Sequence, residues 1–318
     1  MANFHSDEWI MERVREHYEE ALTLFPENRI VGVFLQGSQN YGLDYEGSDI
    51  DTKCIVVPSW EDICFNRKAV STTHVRDNDE HIDLKDIRLM FQTFRKQNLN
   101  FIEILFTKYK VINPMYEEMW EELIMFNEKI ACYDPCGAVK TMKGIAMEKY
   151  HAMEHRYPAK AEIIDAWGYD PKQLHHLFRI SEFIDRYCDG MEKYADILIA
   201  KDGEWLKGIK KVSPTERPYF DLEAARIQAK HELDNVLQRA EVYSKNEIPK
   251  DGQVDVLLDK TQEKIMRAAI MSELLAACPE CGTPLVWRAN WDNPMYECTN
   301  CLATWEKEKG KMKRFFFG

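Results

Sequence analysis

Between residues 31 and 55 the chain reads VGVFLQGSQNYGLDYEGSDIDTKCI. Asp49 and Asp51 flank a single apolar residue, Ile50. On a strand, residues two apart share a face. The spacing therefore sets the two carboxylates side by side and turns Ile50 towards the core. Adjacent carboxylates resist ionising together unless positive charge lies between them. A divalent cation supplies that charge, and Mg²⁺ favours carboxylates combined with substrate phosphates. Upstream, Gly37 lets the backbone approach a ligand closely, and Ser38 adds a hydroxyl suited to a phosphate oxygen.

The apolar runs on either side, Ile30 to Leu35 and Cys54 to Val57, predict a strand, a turn, a polar loop and a second strand. A helix precedes them. Ser6 caps it, with Asp7 and Glu8 at its positive end. Ile10, Val14, Tyr18, Ala21 and Leu22 form its apolar face, and Pro26 ends it. The stretch 58–80 reads as loop, with a short helix near Trp60. His81 to Lys85 alternates polar and apolar residues as a short strand, with Asp83 on its polar face. Residues 86–96 then read as a helix with Ile87, Met90, Phe91 and Phe94 inward. From Tyr116 the pattern is helical over 116–130, 135–156, 171–188, 222–244 and 254–275, with proline and glycine breakers between.

Two further groups have chemical spacing. Lys172, His176 and Arg179 fall at i, i+4 and i+7, on one helix face, opposite Leu174, Leu177 and Phe178. A point-charge lysine and a forked arginine suit a triphosphate, and a solvated helix face is the plain alternative. His175 points elsewhere. Near the C-terminus, Cys278-Pro-Glu-Cys281 and Cys298-Thr-Asn-Cys301 have the spacing of a zinc ribbon. Four thiolates close a tetrahedral structural site and leave no open position for catalysis. Short strands are expected at 285–287 and 295–297, with a turn at Asp292-Asn293-Pro294. Trp287, Trp291, Tyr296 and Trp305, followed by Lys307, Lys309, Lys311, Lys313 and Arg314, either bind single-stranded nucleic acid or form the ribbon's own core with a basic tail.

Gly37-Ser38, a ten-residue spacer and Asp49-Ile50-Asp51 together resemble the signature of the DNA polymerase β-like nucleotidyltransferase superfamily. The wider GSQNYGL and GSDID runs resemble its branch assigned to RNA repair. The resemblance implies a third metal-binding carboxylate on a neighbouring strand. Asp83 is the candidate and Asp86 the fallback, although Asp86 also suits the start of the next helix. The resemblance covers QNLNFIEILF, where Asn98, Asn100 and Glu103 either cap and pack or contact ligand. It extends to the Lys172, His176, Arg179 helix as well. It implies two catalytic Mg²⁺ ions on Asp49, Asp51 and Asp83, and an NTP held by Gly37, Ser38, Lys172, His176 and Arg179.

The expected fold is therefore α+β. A small mixed-sheet nucleotidyltransferase core with helices spans 1–112, and an α-helical domain completing the NTP site spans 113–276. A zinc ribbon with one structural Zn²⁺ follows at 277–306, then a basic tail at 307–318. The expected activity is Mg²⁺-dependent transfer of a nucleoside monophosphate from an NTP to an acceptor hydroxyl. An RNA end is the favoured acceptor. A protein or small-molecule acceptor and a non-catalytic nucleotide-binding adaptor are the alternatives. The 318 residues, 45% hydrophobic, can build a sizeable core. No leader or membrane-spanning run is evident. Nine cysteines, four of them in metal-type spacing, point to a reducing, cytoplasmic setting. A net charge of −12 argues against broad binding to polyanions but leaves room for a local basic groove.

Overall fold

The computed structural model describes residues 3–210, 217–246, 248–274, 277–283, 285–288, 295–308 and 311–315. Its fold is α+β, built on a five-stranded mixed sheet. The strands are β1 (Ile30–Gln36), β2 (Asp51–Val56), β3 (Ser71–Val75), β4 (His81–Asp86) and β5 (Lys110–Ile112), in spatial order β3-β4-β2-β1-β5. β2 and β4 run parallel, and the other pairs are antiparallel. β1 is apolar throughout because both its faces are covered. Val33 and Leu35 pack with Ile10, Val14 and Ala21 of α1 (Asp7–Leu24), whereas Phe34 packs on the other face.

That second core runs without interruption from the sheet through the helices. These are α2 (Trp60–Cys64), α3 (Ile87–Arg95), α4 (Leu99–Ile102), α5 (Glu117–Met125), α6 (Asn127–Ala131) and α7 (Pro135–Ala152). They continue as α8 (Ala161–Trp167), α9 (Pro171–Asp189), α10 (Tyr194–Ile197), α11 (Gly203–Lys210), α12 (Leu222–Ser244) and α13 (Gly252–Leu274). Ile87, Met90, Phe91 and Phe94 point inward, as the apolar spacing predicts.

Several elements differ from the sequence expectation. Leu22 is 38% exposed, and His17 takes a buried place on α1, bonded to Thr52 and Glu80. The 116–130 helix divides at Phe126 into α5 and α6, and the next helix stops at Ala152. β3 and β5 are edge strands with little apolar alternation, so periodicity misses them. Helices α8, α10 and α11 are short and lie between the helices that the sequence pattern predicts.

The C-terminal strands β6 (Leu285–Arg288), β7 (Met295–Cys298), β8 (Thr304–Glu308) and β9 (Lys311–Phe315) form a separate antiparallel sheet in that order. β6 and β7 fall where the sequence places two strands. The segment read as a basic tail instead contributes a strand, because β9 pairs along β8. Trp291 and the turn at 292–294 lie outside the described residues.

Candidate active site

The turn after β1 begins with Gly37 at φ 96°. L side chains rarely adopt this conformation, so glycine is required here. Residues Ser38–Tyr41 then form a tight 3-10 turn. Gln39, buried beneath it, donates from Nε2 to the Asp49 carbonyl at 2.7 Å. Asn40 donates to the Leu35 carbonyl at 2.9 Å. These two bonds fix the Gly37-Ser38 turn relative to the entry of β2, and so join the two halves of the motif.

Asp49 is exposed just before β2, Ile50 is fully buried and Asp51 opens the strand. In the parallel pairing of β2 with β4, Lys53 lies opposite Asp83. Alternation along both strands brings Asp51, Lys53, His81 and Asp83 to one face. Asp51 accepts from the backbone N–H of His81 at 3.2 Å and pairs with its Nδ1 at 3.0 Å. Lys53 Nζ donates to Asp83 at 3.1 Å and sits 4.0 Å over the Phe101 ring. Lys53 is only 3% exposed, and burial lowers its proton affinity against the pull of Asp83. Asp86, the fallback carboxylate, caps α3 through the Arg88 N–H at 2.9 Å and binds the Arg88 side chain. It does not line the site cavity.

Across the cavity stands α9. Pro171 occupies its first turn, and Asp170 caps it through the Lys172 N–H at 2.9 Å. Leu174, Leu177, Phe178 and Ile184 face the core, as expected. The opposite side carries Lys172, His176 and Arg179 into the cavity. Arg179 lies with its guanidinium carbon 3.4 Å from the centre of the Tyr41 ring, and its buried Nε and Nη2 atoms have no hydrogen-bond partner. Burial, then the neighbouring His175 and Arg179, hold His176 well below the usual imidazole range. It therefore enters the site as a neutral hydrogen-bonding group, not as a third cation. His175 turns its Nδ1 to the Leu206 carbonyl at 2.9 Å, and burial pushes it down to about 3.

One cavity of about 830 Å³ is lined by Gly37, Ser38, Asp49, Asp51, Asp83, Lys172, His176 and Arg179 together. It also includes Asn100 and Glu103, which the sequence reading left between packing and ligand contact, His175, which it turned elsewhere, and Lys53, His81, Lys149 and Lys210, which it passed over. Lys53 and His81 each lie two positions from a named aspartate, so strand alternation could have found them. Lys210 ends α11 and carries no local signal. Burial, then the neighbouring Lys172, lower it to about 8.

The donor types fit Mg²⁺, because Asp49, Asp51 and Asp83 line the same cavity and carboxylates are its preferred side-chain ligands. Among the described residues, only the four cysteines bring three or more ligand atoms within 4.8 Å of one another. The wider carboxylate spacing suits an ion that keeps several waters and takes its remaining ligands from phosphates. In the C-terminal sheet, the Sγ atoms of Cys278 and Cys301 are 3.5 Å apart, and those of Cys281 and Cys298 are 3.4 Å apart. This cluster could hold a metal ion, and a thiolate quartet favours zinc. Trp305 is 6% exposed and packs with Leu285 and Ala303, with Tyr296 against them. Trp305 therefore belongs to the ribbon's own core, and Tyr296 packs against it while staying partly exposed.

No known family's pattern matches the chain, and no curated protein matches it. Solved structures do. A nucleotidyltransferase-like protein from Exiguobacterium sibiricum 255-15 is 11% identical, covering 91% of this chain and 99% of that one, with a TM-score of 0.32. CdnC of E. coli MS115-1, solved in complex with HORMA-deltaN, is 12% identical, covering 82% of this chain and 90% of that one, with a TM-score of 0.19.

Proposed function

We propose that the chain is a metal-dependent nucleotidyltransferase. The single observation that carries this reading is the shared cavity, lined by the Gly37-Ser38 turn and three aspartates and, from the helices, by Arg179 and the three lysines Lys149, Lys172 and Lys210. Asp49, Asp51 and Asp83 would hold Mg²⁺, which when bound supplies Lewis-acid stabilisation of phosphate charge. The Gly37 turn and Ser38 cradle the triphosphate, and Lys172 and Arg179 pair with its outer phosphates. His176 adds a neutral hydrogen bond. An acceptor hydroxyl attacks the α-phosphorus. A new P–O bond forms, the α–β bridging P–O bond breaks, and pyrophosphate leaves with the electron pair. Asp83 would take the hydroxyl proton in exchange for its ion pair with Lys53, or the hydroxyl, acidified by the bound metal, would need no side-chain base.

The acceptor we favour is an RNA end, on the motif resemblance and on the cysteine-bearing ribbon with its basic strand β9, where Arg314 pairs with Glu280. A protein or small-molecule acceptor is the alternative that the acidic balance supports. A cytoplasmic setting suits the free thiols. Among the described residues, no helix is long and apolar enough to cross a membrane. The test is incubation with Mg²⁺, each labelled NTP, and RNA or protein acceptors. Label should pass to one acceptor class, and D49N and D51N should fold normally yet abolish transfer. Comparable turnover in both variants would refute the assignment.

A further inference from the structure

Lys53 pairs with one of the carboxylates that the metal chemistry needs. It lies opposite Asp83 in the parallel pairing of β2 with β4, and alternation puts both side chains on the face that carries Asp51. Its Nζ donates to Asp83 Oδ2 at 3.1 Å. Among the described residues, Asp83 is the one carboxylate within 4.0 Å of that nitrogen. Asp51 is bonded instead to His81, through its backbone N–H and Nδ1. Phe101 of α4 covers the ammonium, its ring centre 4.0 Å from Nζ. Lys85, on the same face of β4, lies 5.1 Å from that ring and donates to Ser71 at 2.9 Å. The Lys53 side chain is 4% exposed against 23% for Asp83, so the cation is the enclosed member of the pair. An enclosed charge is costly to strip of its counter-ion. A divalent ion arriving at Asp83 meets that ammonium on the same carboxylate, and like charges so close repel.

We propose that Lys53 is a resident counter-cation of Asp83 that excludes a divalent ion from this carboxylate while the site is free of nucleotide. The proposal rests on the nucleotidyl-transfer reading of the cavity. Asp49 and Asp51 are not paired with Lys53 and can take a first ion. Asp83 joins the metal site only through an exchange in which one cation replaces another. A triphosphate favours that exchange, because it brings oxygen ligands for the ion and an anionic partner for the released ammonium. Lys53 is thus a positioning residue that acts through Asp83, and it orders the loading of the site: nucleotide before second metal. A cross-strand ion pair that only fixed the register of β2 on β4 would have no such effect.

The test counts bound Mn²⁺ by electron paramagnetic resonance of the free ion. It uses the full chain, supplied with one equivalent of zinc for the cysteine cluster, without nucleotide. Lys53→Met keeps an apolar stem under Phe101 and removes the charge. It should bind one Mn²⁺ more than the parent. The additional ion should be lost in Lys53→Met/Asp83→Asn, because Asp83 is the ligand that the first substitution releases. Lys53→Gln, which keeps an N–H donor without the charge, should show the same gain and serves if the methionine variant does not fold. If neither folds, Asp83→Asn decides: it should leave the parent's count unchanged, and loss of one ion would refute the exclusion. Equal binding by the parent and Lys53→Met, or an additional ion that survives Asp83→Asn, would overturn the proposal and leave the transfer reading standing. Absence of Mn²⁺ binding by both would refute the aspartates as a metal site, and the transfer reading with it.

Discussion

Two arginines of α9, Arg179 half-buried in the cavity and Arg186 buried, separate a binding role from a structural one. Arg186 is fully committed. Its guanidinium bonds Glu182 at 2.9 Å, Glu192 at 2.5 Å, and the carbonyls of Ile199 and Asp196 at 2.7 and 2.9 Å. Arg179 has only the Tyr41 ring, with two buried N–H-bearing nitrogens unpartnered. Arg179→Ala should therefore cost little stability. Loss of the cation–π contact, about 1 kcal/mol, opposes relief of unsatisfied donors, about 1–3 kcal/mol. The melting temperature should stay within a few degrees. NTP binding, by contrast, loses a charge-assisted contact of about 1.5–3 kcal/mol, or roughly ten- to a hundred-and-fifty-fold in KM. Arg179→Lys should recover only part of this, because lysine keeps the charge but not the fork. Arg186→Ala should show the reverse pattern: a loss of about 2–3 kcal/mol and a melting temperature lower by roughly 5–10 °C, with KM unchanged in the folded fraction. Steady-state kinetics and thermal melts of the three variants check this. An unchanged KM in Arg179→Ala, or a melting temperature that falls as far as in Arg186→Ala, would refute the division of roles.

Glu80 should govern acid stability. It is buried among Arg13, Arg76 and His17. Burial opposes its ionisation, yet the bonds from His17 and Arg13 bring it down to about 2 from 4.5. The stabilisation, on the order of 3 kcal/mol, is present above pH 4.5 and lost as pH falls towards 2. Glu80→Gln should be destabilised at neutral pH and should lose that part of the acid sensitivity in denaturant melts. The cysteine cluster should bind one zinc per chain by metal analysis, and Cys298→Ser should release it and unfold the ribbon. Deleting residues 278–318 should leave NTP binding intact. If the ribbon recruits RNA through β9, the truncated chain should bind RNA more weakly and with a shallower salt dependence. Equal RNA binding across a salt series would shift the acceptor to a protein or small molecule.

The catalytic motif was legible because it is local. A strand, a glycine-serine turn and a carboxylate pair within twenty-one residues leave a trace in spacing alone, whereas Asp83 rests on the family resemblance, alternation only setting it on the polar face. The long helices were legible too, from their pattern and the breakers between them; in the structure Asp170 and Asp221 cap two of them. The edge strands were not. β3 is mostly exposed and reads SerThrThrHisVal, so it owes its conformation to pairing with β4 and not to a buried face.

What escaped the sequence is the state of the side chains once they are brought together. The Lys172, His176, Arg179 stripe reads as three cations, but packing against α7 and α11 takes the histidine out of that set. Arg179 and Arg186 are identical in sequence terms and lie two helical turns apart, yet one is spent on four partners and the other on none but a ring. The resemblance leaves Glu103 between packing and ligand contact. Its burial in the assembled fold, against the pull of Arg179, pushes its carboxyl up to about 8, which spacing along the chain does not show. Charge is a property of the assembled cavity, and the spacing of residues along a chain fixes only which groups can reach it.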